Sequence, residues 1–197
     1  MRALLPDGLT LDLHRGEGWL GITPFRITGL RLHGLPPIPF LSSFPEVNVR
    51  TYVTHEDKPG IWFFSLDADS PWAVEAAQLV YRLPYHRAKI EVEHRGDWID
   101  YASSRDGASL DLSYRPAGSV APPEPGTIEH FLTERYCLYT EHDGRLHRAD
   151  IHHPPWPLQT AEAEVRKTMI SPLALDGEPL LHYSERQDVV IWPLQPL

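Results

Sequence analysis

The chain has 197 residues, of which 42% are hydrophobic, and a formal net charge of −9. This length predicts a single domain over residues 1–197, and the hydrophobic content excludes general disorder. The negative charge and the lack of a basic stripe disfavour nucleic acid as a partner. The N-terminus lacks the apolar stretch of a signal peptide, and no apolar run approaches the roughly 18 residues of a membrane span, so no membrane partner is expected.

Cysteine, proline and glycine usage indicates a compartment and a fold class. Cys137 is the only cysteine, so no disulfide forms within the chain, which predicts a cytoplasmic protein. Its place in an apolar, strand-like run favours a buried thiol over a nucleophile. Twenty prolines and 13 glycines divide the chain into short pieces, which is typical of β-rich folds.

The first half of the chain predicts short strands, starting with glycine-separated strands in residues 1–35. A proline-rich connection at Leu35–Pro45 follows. Strong alternation at Glu46–Val53, a turn at His55–Gly60 and an apolar strand at Ile61–Leu66 together predict a hairpin.

One principal helix is predicted at Ser70–Leu83, because Ser70 and Pro71 are typical of helix starts and the apolar residues that follow recur at helical spacing. Pro116–Gly126, with four prolines and two glycines, predicts a loop. Further strands are predicted at Ala88–His94, Trp98–Ser103, Leu110–Tyr114, Arg135–Thr140, Leu146–Ile151 and Val189–Trp192. The class is therefore mainly β with one principal helix, a β-rich α+β fold.

The strand at Glu46–Val53 carries a polar face of unusual composition. Glu46, Asn48, Arg50 and Tyr52 alternate with apolar residues and so share one face. This face lies either in solvent, if the sheet is open, or in a cavity where it orients a small polar ligand. The alternation alone leaves both interpretations open.

Other chemical motifs are weak. Lys89 shares strand parity with Glu91 and Glu93, which indicates a solvated lysine with a high pKa. The pair His152–His153 sits among prolines, and adjacent strand residues point to opposite sides, so a structural turn is favoured over a metal site. Since no zinc motif, phosphate loop or dinucleotide fingerprint is present, no metal and no cofactor are predicted.

Five ordered blocks cover nearly the whole chain and resemble domain-of-unknown-function family 2071. They are Phe44–Val53, Pro59–Ala68, Leu83–Lys89, Phe131–Tyr136 and Ile151–Leu158. Members of that family are similar to acetoacetate decarboxylase, whose fold is a closed, bent, mostly antiparallel β-barrel around a small polar cavity. The decarboxylase forms a Schiff base between a lysine and a β-keto acid.

The resemblance implies a cavity site and also a missing nucleophile. Glu46 falls where the decarboxylase has its cavity glutamate, and the helix ending at Pro84 resembles the helix before its paired lysines. Here Tyr85 and His86 stand at those positions. The resemblance therefore implies a barrel that binds a small molecule with Glu46 as the acid or base, and with Asn48, Arg50, Tyr52, Tyr85 and His86 as ligand-binding residues.

Three functions remain open from the sequence. The preferred one is an enzyme or binding protein for a compact polar metabolite that uses no lysine imine. The alternatives are a non-catalytic ligand-binding or sensor module, and a Schiff-base decarboxylase or aldolase-type lyase that uses Lys89. A homo-oligomer is compatible with each of them.

Overall fold

The computed structural model describes residues 1–31, 42–175 and 177–197. Most of the proline-rich connection predicted at Leu35–Pro45 lies outside the described residues, although Phe44 and Pro45 begin a strand. The helices are α1 (Pro71–Tyr81) and α2 (Ile128–Thr133). The strands are β1 (Thr10–Leu11), β2 (Leu20–Ile27), β3 (Phe44–His55), β4 (Lys58–Ala68), β5 (Tyr85–Arg87), β6 (Lys89–Arg95), β7 (Trp98–Arg105), β8 (Ala108–Ala121), β9 (Cys137–His142), β10 (Arg145–His152), β11 (Leu158–Met169), β12 (His182–Tyr183), β13 (Val190–Ile191) and β14 (Gln195–Pro196).

The strands form two sheets. The first has the order β1-β3-β4-β9-β10-β13, with β2 added to β3, β5 to β4 and β14 to β10. Its ladders are antiparallel except that β4 pairs in parallel with both β5 and β9. The second sheet has the order β12-β11-β8-β7-β6 and is antiparallel throughout.

The main core lies between β3 and the second sheet. Val47 and Val49 are fully buried there against Ile90, Leu110 and other apolar residues of the second sheet. Among the described residues neither sheet closes on itself through hydrogen bonds. The mainly β class is therefore confirmed, whereas the predicted closed barrel is not.

The β3–β4 hairpin is confirmed with a tighter turn than predicted. Only Glu56 and Asp57 separate the strands, and both have positive φ, 47° and 62°, as two-residue hairpin turns with right-handed twist require. Val49 pairs with Ser65 and Arg50 with Phe63, so β4 has one extra residue at this point. Because this bulge lies on β4, the alternation of β3 continues unbroken.

Helix α1 begins as the sequence predicts and ends before the predicted Leu83. The Ser70 hydroxyl caps it by accepting a hydrogen bond from the Ala73 N–H at 3.4 Å. Arg82 adopts the left-handed conformation with φ 53°, which terminates the helix. No helix within the three described ranges is long and apolar enough to cross a membrane.

The sequence analysis missed the short parallel strand β5, the helix α2, the long strand β11 and the two-residue strands β12 and β14. The loop predicted at Pro116–Gly126 is wrong in its first half, because β8 continues through Ala121. The ladder between β7 and β8 ends where Ile99 pairs with Tyr114. The rest of β8 pairs with β11 on its other side. Pro116 therefore lies on an open edge, where its missing N–H costs no ladder hydrogen bond.

Candidate functional site

The polar residues of β3 lie on a covered face of the first sheet. Glu46 is 1% exposed, Asn48 5% and Tyr52 2%, and Arg50 is half-buried. Val47 and Val49 point the other way, into the core. We call these four polar side chains the β3 row, and the sheet does not present them to open solvent.

Two helices pack at opposite ends of the β3 row. Near Glu46, Ala73 and Val74 of α1 pack with Phe44 and Ala68. Near Tyr52, the ring of Phe131 in α2 lies 5.3 Å from the Tyr52 ring, centroid to centroid. Because α2 was not predicted, the sequence analysis could not identify this second cover.

Strand β5 brings Tyr85 to Glu46. The parallel pairing of Leu66 with Tyr85 places Tyr85 on the same face as the β3 row, since Leu66 pairs with Asn48. The Tyr85 hydroxyl donates a hydrogen bond to Glu46 Oε2 at 3.0 Å. Two predicted site residues that are 39 positions apart in sequence are thus in direct contact.

Burial sets the protonation state of this pair. Desolvation raises the pKa of Glu46 from 4.5 to about 8, partly offset by the Tyr85 hydrogen bond and reinforced by the charge of Asp67. Burial and the neighbouring Glu46 likewise raise the pKa of Tyr85 well above its usual value. Near pH 7, Glu46 is therefore mostly a neutral acid and Tyr85 keeps its proton.

The middle of the β3 row has unsatisfied polar atoms. Asn48 Oδ1 and Arg50 Nε are buried and have no hydrogen-bond partner among the described residues. A buried polar atom without a partner costs about 1–3 kcal/mol, so water or a ligand that pairs with these atoms stabilises the protein. Gly21 on β2 makes room for the Arg50 and Tyr52 side chains, because a Cβ there would lie 3.4 Å from Arg50 Nε and 3.2 Å from the Tyr52 hydroxyl.

Arg135 holds the Tyr52 end of the row together. It is 4% exposed, and its guanidinium bonds Asp12 Oδ2 at 2.5 Å and the Phe131 carbonyl oxygen at 2.6 Å. The same guanidinium lies 4.1 Å from the Phe131 ring centroid and 5.2 Å from that of Tyr52. The sequence shows Arg135 next to Glu134 but cannot tell which of the two is buried.

His86 lies on the opposite face from the β3 row, so the structure does not bring it to Glu46 and Tyr85. It pairs with Asp67 in the β4–β5 ladder and shares the Asp67 face. Asp67 is 1% exposed and accepts a hydrogen bond from Arg105 Nε at 2.8 Å. Burial raises the pKa of Asp67, while burial and the Arg105 charge lower the pKa of His86.

The structure gives little support to a metal site at His152–His153. His153 is buried, and its ring nitrogens lie 3.2 Å from the Arg135 carbonyl oxygen and 2.9 Å from that of Pro154, which suits a structural turn. No group of three or more His, Cys, Asp or Glu residues with metal-binding geometry occurs in the described parts of the chain.

None of the three lysines of the chain is buried. Lys89 has a 75% exposed side chain and bonds Glu91 at 2.6 Å, which raises its pKa. Lys58 bonds Asp150 at 2.7 Å with a side chain 38% exposed, and Lys167 is exposed. An imine-forming lysine needs a lowered pKa from burial or a nearby cation, whereas Lys89 is exposed and its pKa is raised by Glu91.

Two surface clefts lie apart from Glu46. One of about 280 Å³ is on the second sheet among ion-paired residues such as Arg95 and Asp100. The other, of about 400 Å³, lies between the His14–Trp19 segment and the start of α2. We call the latter the α2 cleft.

A family model for uncharacterized conserved proteins, DUF2071, matches residues 1–188. The uncharacterized protein YqjF of Bacillus subtilis (strain 168) is 45% identical over 202 residues, covering 99% of this chain and 84% of YqjF. This chain belongs to the DUF2071 family.

Solved structures with the same fold are acetoacetate decarboxylase-like. The acetoacetate decarboxylase of Legionella pneumophila aligns with a TM-score of 0.67 at 12% identity, covering 100% of the DUF2071 chain and 78% of the enzyme. The enduracididine biosynthesis enzyme MppR, in complex with pyruvate, aligns with a TM-score of 0.56 at 13% identity, covering 99% and 80%. At these identities the likeness establishes only the fold of the DUF2071 chain. The chemistry of this chain has to be inferred from its own residues.

Proposed function

We propose that this protein binds a small carboxylate metabolite with a carbonyl or hydroxyl group on the β3 row, without a lysine imine. The observation that carries the proposal is the neutral, buried Glu46 held by Tyr85, in one row with the unsatisfied Asn48 Oδ1 and Arg50 Nε. Buried polar groups are normally hydrogen-bonded, so the unpaired atoms of the β3 row need a partner, which a bound ligand would supply.

Each residue of the row has a separate role in this proposal. Arg50 binds the ligand carboxylate, because a guanidinium is the residue best suited to planar anions. Glu46 donates its proton in a hydrogen bond to the carbonyl oxygen, and Tyr85 orients the Glu46 carboxyl. Asn48 positions the ligand between the two ends. The pyruvate complex of the MppR relative makes a 2-oxo acid the natural probe.

Two versions of this function differ in whether chemistry follows binding. A neutral acid beside a carbonyl oxygen promotes enolisation, since protonating that oxygen stabilises the enol while a proton leaves the adjacent carbon to solvent. A non-catalytic binding module holds the ligand without that exchange. The Schiff-base alternative with Lys89 is disfavoured by the exposed, ion-paired state of that amine.

The test is calorimetric titration with pyruvate and with acetoacetate. We expect Arg50→Gln to weaken binding by about tenfold or more, because it removes the charge that pairs with the carboxylate. Arg186→Gln, at an arginine whose side chain is 79% exposed, is the matched control and should bind like wild type. Equal affinities for wild type and Arg50→Gln, or no binding by wild type, would contradict the proposal.

The same samples separate enzyme from binding module. Deuterium uptake at the pyruvate methyl group in D₂O, followed by proton NMR, should be faster with wild type than with Glu46→Gln if the protein catalyses enolisation. Binding that depends on Arg50 without any protein-dependent exchange would instead identify a binding module.

A further inference from the structure

The outer face of α1 is apolar, which is unusual for a helix at the surface of a protein. Leu79 is 74% exposed, Trp72 67% and Val80 52%. With about 3.6 residues per turn, Trp72, Ala76 and Leu79 lie in one line along the helix, and Val80 lies beside them. We call these four residues the α1 face, and a contiguous exposed apolar patch of this kind indicates a contact surface.

The charges of α1 argue against a lipid surface as the partner. Between Pro71 and Tyr81 the only charged side chain is Glu75, and neither lysine nor arginine is present. An amphipathic helix that lies on a membrane usually carries Lys or Arg on its polar face. The line of apolar side chains instead suits the groove of another helix.

The α1 face is complementary to itself across a two-fold axis. Ala76 is the middle residue of α1, and Trp72 and Val80 lie four positions before and after it. When two copies of the helix pack antiparallel about Ala76, the bulky Trp72 of each copy therefore meets Val80 and Leu79 of the other. The small Ala76 side chain lets the two helices approach closely at the centre. Such an isologous contact buries the same patch on both subunits.

Charge and area also fit a second copy of this chain. Antiparallel packing brings the first half of one helix, with Glu75, alongside the C-terminal end of the other, where Arg82 follows the last turn. Both of these side chains are exposed, and the two helix dipoles run in opposite directions, which is favourable. The exposed parts of Trp72, Leu79 and Val80 amount to roughly 400 Å² on each copy, which is typical of small interfaces that associate weakly. We therefore expect a reversible dimer.

We propose that this protein forms a two-fold symmetric homodimer through the α1 face, with Ala76 of each copy at the axis. The interaction goes beyond the proposed function and does not depend on a ligand. It involves a helix that contacts the site, because Gln78 Nε2 of α1 donates a hydrogen bond to the Tyr85 carbonyl oxygen at 2.8 Å. The partner subunit therefore helps to hold in place the helix that packs near Glu46.

Sedimentation velocity over a range of protein concentrations tests this surface. Wild type should change from a monomer of 22.5 kDa to a species of twice that mass as the concentration rises. Leu79→Glu places a charge where Trp72 of the partner subunit packs, so it should raise the dissociation constant of the dimer by about tenfold or more. Met169→Glu, at an apolar residue that is 61% exposed on the second sheet, is the matched control and should leave the dissociation constant unchanged.

Disulfide crosslinking tests the position of the axis. Under mild oxidation Ala76→Cys should form a covalent dimer, because the two substituted positions face each other and a disulfide needs Cα atoms within about 7 Å. The native Cys137 is buried and should not crosslink, and Met169→Cys is the exposed control. A wild type that stays monomeric, a Leu79→Glu protein that dimerises like wild type, or an Ala76→Cys protein that crosslinks no faster than Met169→Cys would each overturn the proposal.

Discussion

At the scale of residues, the unusual feature is Glu46, which is 1% exposed and has no cation in contact with its carboxyl group within residues 1–31, 42–175 and 177–197. A lone buried carboxylate is costly, so such a group keeps its proton instead. The Tyr85 hydroxyl then donates to one oxygen of a neutral acid, and the Glu46 proton is available to a ligand. Asparagine or glutamine at this position would form hydrogen bonds but would lack the transferable proton.

This protonation makes stability depend on pH. With a folded-state pKa of about 8 against 4.5 for an unperturbed glutamate, both states are protonated below about pH 4.5, and there Glu46 imposes no penalty. Between about pH 4.5 and 8 the unfolded chain releases the proton while the folded protein keeps it. The free energy of unfolding therefore falls over that window, by roughly 4–5 kcal/mol at most, and is flat above it.

We predict that Glu46→Gln removes this loss. In urea unfolding at pH 5 and pH 8, the variant should lose less stability than wild type between the two values. Tyr85→Phe removes a hydrogen bond that lowers the pKa of Glu46, so it should extend the wild-type decline to higher pH. If the free energy of unfolding changed with pH in the same way for wild type and Glu46→Gln, the pKa of Glu46 would not be raised in the folded protein.

Lys89 provides the second prediction at this scale. Its amine pairs with Glu91 in solvent, so it stays protonated and does not attack a carbonyl group. Incubation with acetoacetate or pyruvate followed by borohydride should leave the intact mass of the chain unchanged. A stable adduct that Lys89→Ala abolishes would restore the Schiff-base mechanism.

The sequence predicts the β3 row because alternation in a long strand is a local property. The sequence does not show whether Tyr85 or His86 faces Glu46. Which of two adjacent residues faces Glu46 depends on β5, a three-residue strand whose pairing with β4 is long-range. Asp12 and Phe131 were missed, and Arg135 was not distinguished from Glu134, for a related reason, because their contacts with Tyr52 join segments 40 or more positions apart.

At the scale of elements, the Asp67–Arg105 pair connects β4 of the first sheet to β7 of the second. The Asp67 side chain is 1% exposed and that of Arg105 is 23% exposed. Removing the cation leaves a buried carboxylate unpaired, which is more costly than removing both partners. Together with the apolar core between β3 and the second sheet, this ion pair joins the two sheets.

We predict that Arg105→Leu lowers the free energy of unfolding by roughly 2–4 kcal/mol. The double variant Asp67→Leu/Arg105→Leu should recover part of that loss, because no buried charge remains. Arg95→Leu breaks an ion pair with Asp100 on the second sheet in which the arginine side chain is 65% exposed, and it should have little effect. An Arg105→Leu protein as stable as the Arg95→Leu control would show that the pair does not connect the sheets.

Strand β11 shows why the second sheet was harder to predict than the first. Ala161, Ala163 and Val165 alternate with Glu162, Glu164 and Arg166, but two of the three apolar residues are alanines, and the strand is mostly exposed after Leu158, so the strand signal of β11 is weak. It is a strand because β8 pairs with it along almost its whole length, from Leu158 to Met169. The composition of this segment is typical of a solvated loop. In the structure, pairing with β8 makes it a strand of 12 residues.

At the scale of the whole molecule, two stacked sheets leave one face of β3 in the core and the other under the two helices. Val47 and Val49 provide packing on one side, and the β3 row lies on the other. The resemblance to acetoacetate decarboxylase holds for the fold, with a TM-score of 0.67 for the Legionella enzyme. Cytoplasmic location, a lack of nucleic-acid binding and homo-oligomer formation stay predictions of the sequence.

The proposed function requires Glu46 to be a neutral acid near pH 7, and titration of its carboxyl group by NMR measures this. Protein labelled with ¹³C at the glutamate carboxyl carbon is titrated from pH 4 to pH 10, and the resonance missing from Glu46→Gln is assigned to Glu46. We predict a midpoint at about pH 8. A midpoint near the ordinary glutamate value of 4.5 would contradict it, because the β3 row would then present a carboxylate where the proposed function requires a proton donor.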